Sequence, residues 1–315
     1  MILFIIIKAN QNVNMVNAKE ISEMKFKGII PALVTPLNTD ETINTGVLKD
    51  LIDMLLGKGA DGFYVGGATG EGIALKTENR IVLAEAAIDA VAGKKPCIVQ
   101  VAAADFSDAI MLAKHAESIG AKAISATAPL FFKYDEDDVY NYYKALAESV
   151  HIPLMIYYSP AAGFDFSAKF VARMFEIDNI TAIKWTSSNY YGMTQVKELT
   201  HGEMNLINGP DEMLLMGLNA GADGGIGTTY NFMFDTIKSI YDNFICGNIA
   251  EAQKSQMDAN RIITQLHRYM GIPVTKVVLE EMGFAVGNAA FPMKRYNAEE
   301  RKCIINDMKN AGLKF

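Results

Sequence analysis

Three short glycine-containing phrases constrain the fold of this chain more than any other feature. They stand at residues 59–62, 120–123 and 221–224, and each begins with Gly-Ala directly after a helical pattern. Glycine just past a helix end is the preferred left-handed cap. Because a small or β-rich run follows each phrase, we interpret all three as helix-to-strand links. Their repetition predicts helices and strands that alternate around a parallel sheet.

The predicted strands are short runs, most of them apolar throughout, which is typical of parallel strands buried on both faces. Helical periodicity separates them, as in the segment 47–55. We place the strands at 28–34, 62–66, 97–102, 123–128, 154–158, 181–184, 205–208 and 224–227. Eight strands with intervening helices favour an α/β fold of the closed (β/α)8 TIM-barrel type. An open, doubly wound sheet is the alternative.

The chain has 315 residues, which suits one barrel with additional C-terminal helices. We expect the barrel to span 26–246 and a helical extension, 247–315, to pack on it, with helices at 248–270, 274–282 and 298–310. The apolar stretch at 1–7 is too short for a transmembrane span and lacks the features of a signal peptide. Residues 1–25 are therefore predicted to be a disordered N-terminal extension.

Charge and cysteine content limit the classes of partner. The formal net charge is −7, and no basic run with interleaved aromatic residues is present, which argues against nucleic acid. Cys97, Cys246 and Cys303 lie far apart and have no histidine cluster nearby. This pattern fits a reduced, cytoplasmic protein without disulfides or a metal centre, and no segment indicates a membrane partner.

Polar residues at the C-terminal ends of barrel strands are the candidates for chemistry. Lys184 stands out because it lies in the buried-strand pattern T-A-I-K-W-T at 181–186. Burial without a partner disfavours the charged form of a lysine, and a neutral amine can attack a ketone to form an imine. A lysine that ends in a salt bridge is the alternative, and the residue pattern alone leaves both open.

Tyr157 ends the strand that precedes the strand of Lys184, where a phenol can move a proton; a space-filling tyrosine is the alternative. Tyr158 should point to the opposite face and pack against a helix. The loop G-G-A-T-G-E at 66–71 opens a helix and offers N–H groups to a carboxylate or phosphate. A tight turn in which Glu71 favours the helix dipole fits that loop equally well. The segment 224–231 suits a phosphate or hydroxyl groups.

In order along the chain, four motifs resemble the N-acetylneuraminate lyase and dihydrodipicolinate synthase family of pyruvate-dependent class I aldolases. They are G-G-A-T-G-E at 66–71, the strand ending in Tyr157, A-I-K-W-T-S at 182–187 and G-A-D-G-G-I-G at 221–227. The resemblance implies that Lys184 forms a Schiff base with pyruvate and that Tyr157 shuttles the proton. It further implies that Ala68 and Thr69 hold the pyruvate carboxylate, that no cofactor is needed, and that the protein is a homo-oligomer, a dimer or a tetramer.

Within this family the resemblance is closest to the lyase branch. Synthases bind the carboxylate of their aldehyde substrate with an arginine shortly after the tyrosine of strand five, and the segment 160–163 has none. In lyases an acidic pair and a hydroxyl residue bind the sugar chain. The substrate-binding residues that the resemblance implies outside the glycine-rich loop are Thr186, Gly209, Asp211, Glu212, Gly227 and Thr228.

Two departures from the family pattern affect the proton relay. Ala68 stands where the family usually has serine or threonine. In the segment 129–132, where the family tends to have a tyrosine, the aromatic residues are Phe131 and Phe132. Several functions therefore stay open. Cleavage of N-acetylneuraminate to pyruvate and N-acetylmannosamine leads, followed by another pyruvate-dependent aldolase or dehydratase of 2-oxo sugar acids, and by dihydrodipicolinate synthase. A non-catalytic 2-oxo-acid-binding protein is the alternative outside the enzymes.

Overall fold

The computed structural model describes residues 25–315, and its centre is a barrel of eight parallel strands. They are β1 (Gly28–Pro31), β2 (Phe63–Val65), β3 (Cys97–Gln100), β4 (Ala123–Ala126), β5 (Leu154–Tyr158), β6 (Ile180–Trp185), β7 (Asn205–Asn208) and β8 (Gly224–Gly227). The order is β1-β8-β7-β6-β5-β4-β3-β2. The N–H of Leu33 donates to the carbonyl of Tyr64 at 2.9 Å and joins β1 to β2. The predicted TIM barrel is confirmed, and the open sheet is wrong.

Eleven α-helices lie within residues 25–315. They are α1 (Thr45–Gly57), α2 (Thr77–Val91), α3 (Phe106–Ser118), α4 (Glu136–Ala147), α5 (Ala168–Phe175), α6 (Tyr190–Leu199), α7 (Leu214–Asn219), α8 (Phe234–Ile245), α9 (Ile249–His267), α10 (Gly271–Glu281) and α11 (Ala298–Asn310). One helix follows each strand, and α9–α11 are the additional C-terminal helices. None of these helices is both long and apolar enough to cross a membrane.

Strand and helix limits differ from the predicted ones by a few residues. β1 ends at Pro31 rather than at residue 34, although residues 32–34 remain buried. An apolar run predicts burial, and it does not distinguish a strand from the buried loop that continues it. α10 begins at Gly271, three residues before the predicted start. The predicted extension at 1–25 lies outside the described residues, apart from Lys25.

Every strand contributes a buried side chain to a cluster that lines the barrel interior. The members of this cluster on the strands are Ile30, Tyr64, Ile98, Ala123, Met155, Ala182, Ile207 and Ile226. Because side chains along a strand alternate between two faces, residues two positions further on face the same interior, one layer closer to the C-terminal ends. Tyr157 and Lys184 occupy such positions, and they are register partners on β5 and β6.

Candidate active site

Lys184 lies at the C-terminal end of β6 and is only 5% exposed. Its Nζ is 4.3 Å from the ring centroid of Tyr157 and 4.6 Å from that of Tyr64. The two rings meet edge to face, with their centroids 6.2 Å apart. Among the described residues, the buried lysine that pairs with a carboxylate is Lys276, not Lys184. The salt-bridge alternative for Lys184 is therefore not observed, and its amine contacts two aromatic faces instead.

The ring of Tyr64 lies beneath the amine of Lys184. Its ring is fully buried on β2, and its hydroxyl donates to Ser125 Oγ on β4 at 3.0 Å. Burial raises the pKa of Tyr64 above its usual range, so its hydroxyl stays protonated. Tyr157, one layer above, is half-buried. Tyr158 points the other way, as predicted; it packs against Trp185 and Phe166, a residue of the loop that precedes α5, outside the barrel.

The glycine-rich loop at 66–71 closes tightly over β2. A Cβ atom on Gly67 would lie 2.4 Å from Cε1 of Tyr64, and one on Gly72 would lie 1.8 Å from the carbonyl oxygen of Gly66. Thr35 Oγ1 donates to the carbonyl of Gly70 at 2.6 Å and ties the loop to the end of β1. These contacts require glycine and hold the loop rigid, so its backbone groups have fixed directions.

The alternative in which Glu71 favours a helix dipole is not observed. Only a short 3-10 turn, Gly72–Ala74, follows the loop, and α2 begins at Thr77. Glu71 adopts a left-handed conformation with φ of 60° and is buried. Its carboxylate lies 2.7 Å from Lys276 Nζ of α10 and also accepts the N–H of Ala290 at 2.5 Å. Glu71 thus anchors the loop to the C-terminal helices.

Two predicted ligand-binding residues, Thr69 and Thr228, meet directly. Their Oγ1 atoms are 2.6 Å apart, which joins the loop after β2 to the end of β8. Ala68, the neighbour of Thr69, is exposed. The hydroxyl expected to contact a carboxylate and the hydroxyl expected to contact a sugar therefore lie side by side.

Asp211 is buried beneath β8 and does not point into open space. Its Oδ2 accepts the N–H of Thr229 at 2.8 Å and the Thr229 hydroxyl at 2.7 Å. A Cβ atom on Gly227 would lie 2.0 Å from Asp211 Oδ1, so glycine is required there. Burial raises the pKa of Asp211 to about 6, although the hydrogen bonds from Thr229 oppose that shift. Glu212 is partly exposed.

Gly209 and Thr186 are likewise in contact at the ends of β7 and β6. A Cβ atom on Gly209 would lie 2.1 Å from Thr186 Oγ1, and this hydroxyl is buried without a hydrogen-bond partner among the described residues. Phe131, in contrast, does not line the barrel. It is 95% exposed and has a φ of 77°. The predicted site residues therefore converge on the C-terminal end of the barrel.

Comparisons with known proteins identify the family of this chain. A sequence model described as the dihydrodipicolinate synthetase family matches residues 25–311. An N-acetylneuraminate lyase of Rhizobium meliloti (strain 1021) is 35% identical over 274 residues, which cover 86% of this chain and 91% of the relative. This chain belongs to the dihydrodipicolinate synthetase family. Enzymes of the family are class I aldolases or lyases with a Schiff-base lysine, which favours an enzyme over the binding-protein alternative.

Solved structures extend the comparison. The N-acetylneuraminate lyase of Proteus mirabilis is 29% identical and superimposes with a TM-score of 0.88, over 92% of this chain and 100% of the other. A prophage protein of the family from E. coli K12, solved in complex with pyruvate, is 25% identical with a TM-score of 0.87, over 91% of this chain and 99% of the other.

Sequence reasoning missed several residues of the site. Those with direct contacts to predicted residues are Tyr64, Ser125, Thr229 and Lys276. Tyr64 was predictable from the sequence, because it lies two positions before Gly66 and therefore faces the barrel interior. The ion pair of Lys276 with Glu71 carries no sequence signal, since the two residues are far apart along the chain.

Proposed function

We propose that Lys184 is the Schiff-base lysine of this aldolase and that the substrate is N-acetylneuraminate, which is cleaved to pyruvate and N-acetylmannosamine. The observation that carries the assignment is the position of Lys184 Nζ, buried at the end of β6 over the faces of Tyr157 and Tyr64. A buried amine without a counter-ion is suited to attack a carbonyl. Once the imine forms and is protonated, both ring faces attract its positive charge.

The surrounding residues divide the reaction between them. We assign the pyruvate carboxylate to Thr69 and to the N–H groups of Ala68 and Thr69. Tyr157, in its phenolate form, takes the proton from the C4 hydroxyl. The C3–C4 bond then breaks, and the electrons of this bond move through C3 to the protonated imine, which becomes a neutral enamine. Tyr157 then returns this proton to C3 of the enamine and becomes the phenolate again, and water releases pyruvate from Lys184.

Recognition of the sugar chain is assigned to Thr186, Glu212 and Thr228, beside the turn glycines Gly209 and Gly227. Asp211 acts differently: because its carboxylate is held by Thr229, it fixes the end of β8 against β7. The absence of arginine at 160–163 and the identity to N-acetylneuraminate lyases both favour the lyase over the synthase.

A second candidate function is cleavage or dehydration of another sugar-derived 2-oxo acid. The observation that favours it is the engagement of Asp211 by Thr229, which leaves Glu212 as the free carboxylate of the acidic pair. A substrate with a shorter hydroxylated chain would need fewer such contacts.

Borohydride trapping separates these functions. The protein is incubated with N-acetylneuraminate alone or with pyruvate alone, reduced, and examined by intact mass and peptide mapping, with Lys184→Met as the control. A pyruvyl adduct on Lys184 in both incubations supports the lyase. An adduct with pyruvate alone supports the second candidate. An adduct on a different lysine, or undiminished trapping in Lys184→Met, would overturn the assignment of Lys184.

We also propose a cytoplasmic homo-oligomer, a dimer or a tetramer. Phe131 and Phe132 are 95% and 68% exposed at the mouth of the barrel, and adjoining exposed aromatic rings are typical of surfaces that bind another protein. The three cysteines are free, which fits a reducing compartment. Sedimentation of the wild type and of a Phe131→Ser/Phe132→Ser variant tests the assembly: a monomeric wild type would contradict it.

A further inference from the structure

Thr127, at the C-terminal end of β4, carries a hydroxyl group that no part of the mechanism has used. The residue is only 7% exposed, and its Oγ1 is buried without a hydrogen-bond partner among residues 25–315. Buried hydroxyl groups are nearly always hydrogen-bonded, because an unpaired one forfeits its interaction with water. An exception at the mouth of a barrel calls for a function.

The direction of this side chain follows from its strand. Ser125 faces the barrel interior, because its Oγ accepts the hydroxyl of Tyr64. Since side chains alternate along a strand, Thr127 faces the same interior one layer closer to the C-terminal ends. That is also the layer of Tyr157 and Lys184.

The register of the barrel identifies the neighbours of Thr127. Ala126 is the register partner of Ile156, so the next position on β5 is Tyr157. On the other side Gln100 is the partner of Ser125, so the position beside Thr127 is Ala102, which has no polar side chain. Neighbouring strands are about 4.8 Å apart. Of the two positions beside Thr127, the one on β5 therefore carries the polar side chain, Tyr157.

We propose that Thr127 is a positioning residue for Tyr157, an inference that rests on the proposed function. When Tyr157 has given its proton to the substrate, the Thr127 hydroxyl donates a hydrogen bond to the phenolate oxygen. Thr127 keeps its own proton throughout. It supplies next to Tyr157 a hydroxyl that Ala68 and Phe131 lack.

The test follows proton transfer on pyruvate alone, so that it does not depend on the sugar. Enamine formation removes a proton from C3 of the pyruvate imine, and in D2O a deuteron replaces it, which NMR of the pyruvate methyl group measures. The variants are Thr127→Val, which has the same shape without the hydroxyl, and Thr127→Ser, which keeps it. Thr181→Val is the matched control, because Thr181 Oγ1 is also buried and unpartnered but lies near the opposite end of its strand.

We expect Thr127→Val to slow exchange by about tenfold to a hundredfold, as is typical for the loss of a hydrogen bond to an ionised group. Borohydride trapping of the imine on Lys184 should proceed at the wild-type rate, and Thr127→Ser and Thr181→Val should retain wild-type exchange. Wild-type exchange in Thr127→Val, or equal losses in Thr127→Val and Thr127→Ser, would overturn the role of Thr127 alone. A wild type that neither forms the imine nor exchanges would refute the proposed function and this inference with it.

Discussion

At the scale of single residues, Asp211 has an unusual ionisation. Its side chain is buried, which raises its pKa to about 6 from an ordinary value of 3.8. The folded protein therefore holds the proton of Asp211 more tightly than the unfolded chain does. The resulting stabilisation is fully present below about pH 4 and is lost as the pH rises through about 6.

The Asp211→Asn variant isolates this contribution, because the amide has a similar shape and no charge to bury. Relative to the variant, the wild type should lose about 3 kcal/mol of unfolding free energy between about pH 4 and pH 6. Above about pH 7 the difference should be constant. Urea unfolding at a series of pH values measures it, and a difference that does not change with pH would contradict the prediction.

Residues differ in how far their roles are predictable from sequence. Lys184 and Tyr157 were predicted because each interrupts a strand pattern and lies at a strand end, where barrel chemistry occurs. The hydrogen bonds that Asp211 accepts from Thr229 were not predicted, because the sequence does not indicate in which direction a short polar side chain points after a strand ends. Asp211 was expected to face the substrate, whereas its carboxylate is held within the protein.

At the scale of secondary-structure elements, the eight strands and three C-terminal helices were predicted within a few residues. The helix-to-strand phrases and apolar runs report on local geometry and burial, which the sequence encodes directly. The contact between the loop at 66–71 and α10 was not predicted. It joins elements about two hundred residues apart through Glu71 and Lys276, and no periodic pattern records such a contact.

Removing one partner of the buried ion pair between Glu71 and Lys276 should destabilise the protein more than removing both. Burial lowers the pKa of Lys276, and the adjacent Glu71 carboxylate opposes that shift. Lys276→Met leaves the carboxylate buried without its counter-charge, which should cost about 3–5 kcal/mol of unfolding free energy. The double variant Glu71→Gln/Lys276→Met should recover most of that loss.

The matched control is the exposed pair of Lys309 and Glu281, which also joins two C-terminal helices, at 2.9 Å. Lys309→Met should change the unfolding free energy by less than about 1 kcal/mol. Chemical denaturation of the four proteins measures both effects. If the double variant is as unstable as Lys276→Met, the pair is not coupled and the anchoring role of Glu71 is wrong.

At the scale of the whole molecule, the C-terminal helices are part of the site's support. Gln256 of α9 donates to the carbonyl of Asp211 at 3.1 Å, and Asn260 of the same helix donates to that of Glu212 at 3.1 Å. Lys276 of α10 holds the loop at 66–71 from the other side. The helices that follow the barrel in sequence therefore fix the loops at the C-terminal ends of the barrel strands.

This arrangement predicts that barrel and C-terminal helices unfold as one unit. Trp185, the chain's single tryptophan, is fully buried in the barrel and reports on it by fluorescence. Cys303 of α11 is exposed and can carry a thiol-reactive dye, once Cys246→Ser has removed the other exposed cysteine. Because buried hydrogen bonds and an ion pair connect the two parts, both probes should give the same urea midpoint. If the dye at Cys303 reports a lower urea midpoint than Trp185 does, the C-terminal helices detach before the barrel unfolds. The barrel would then stay folded without the contacts between these helices and its loops.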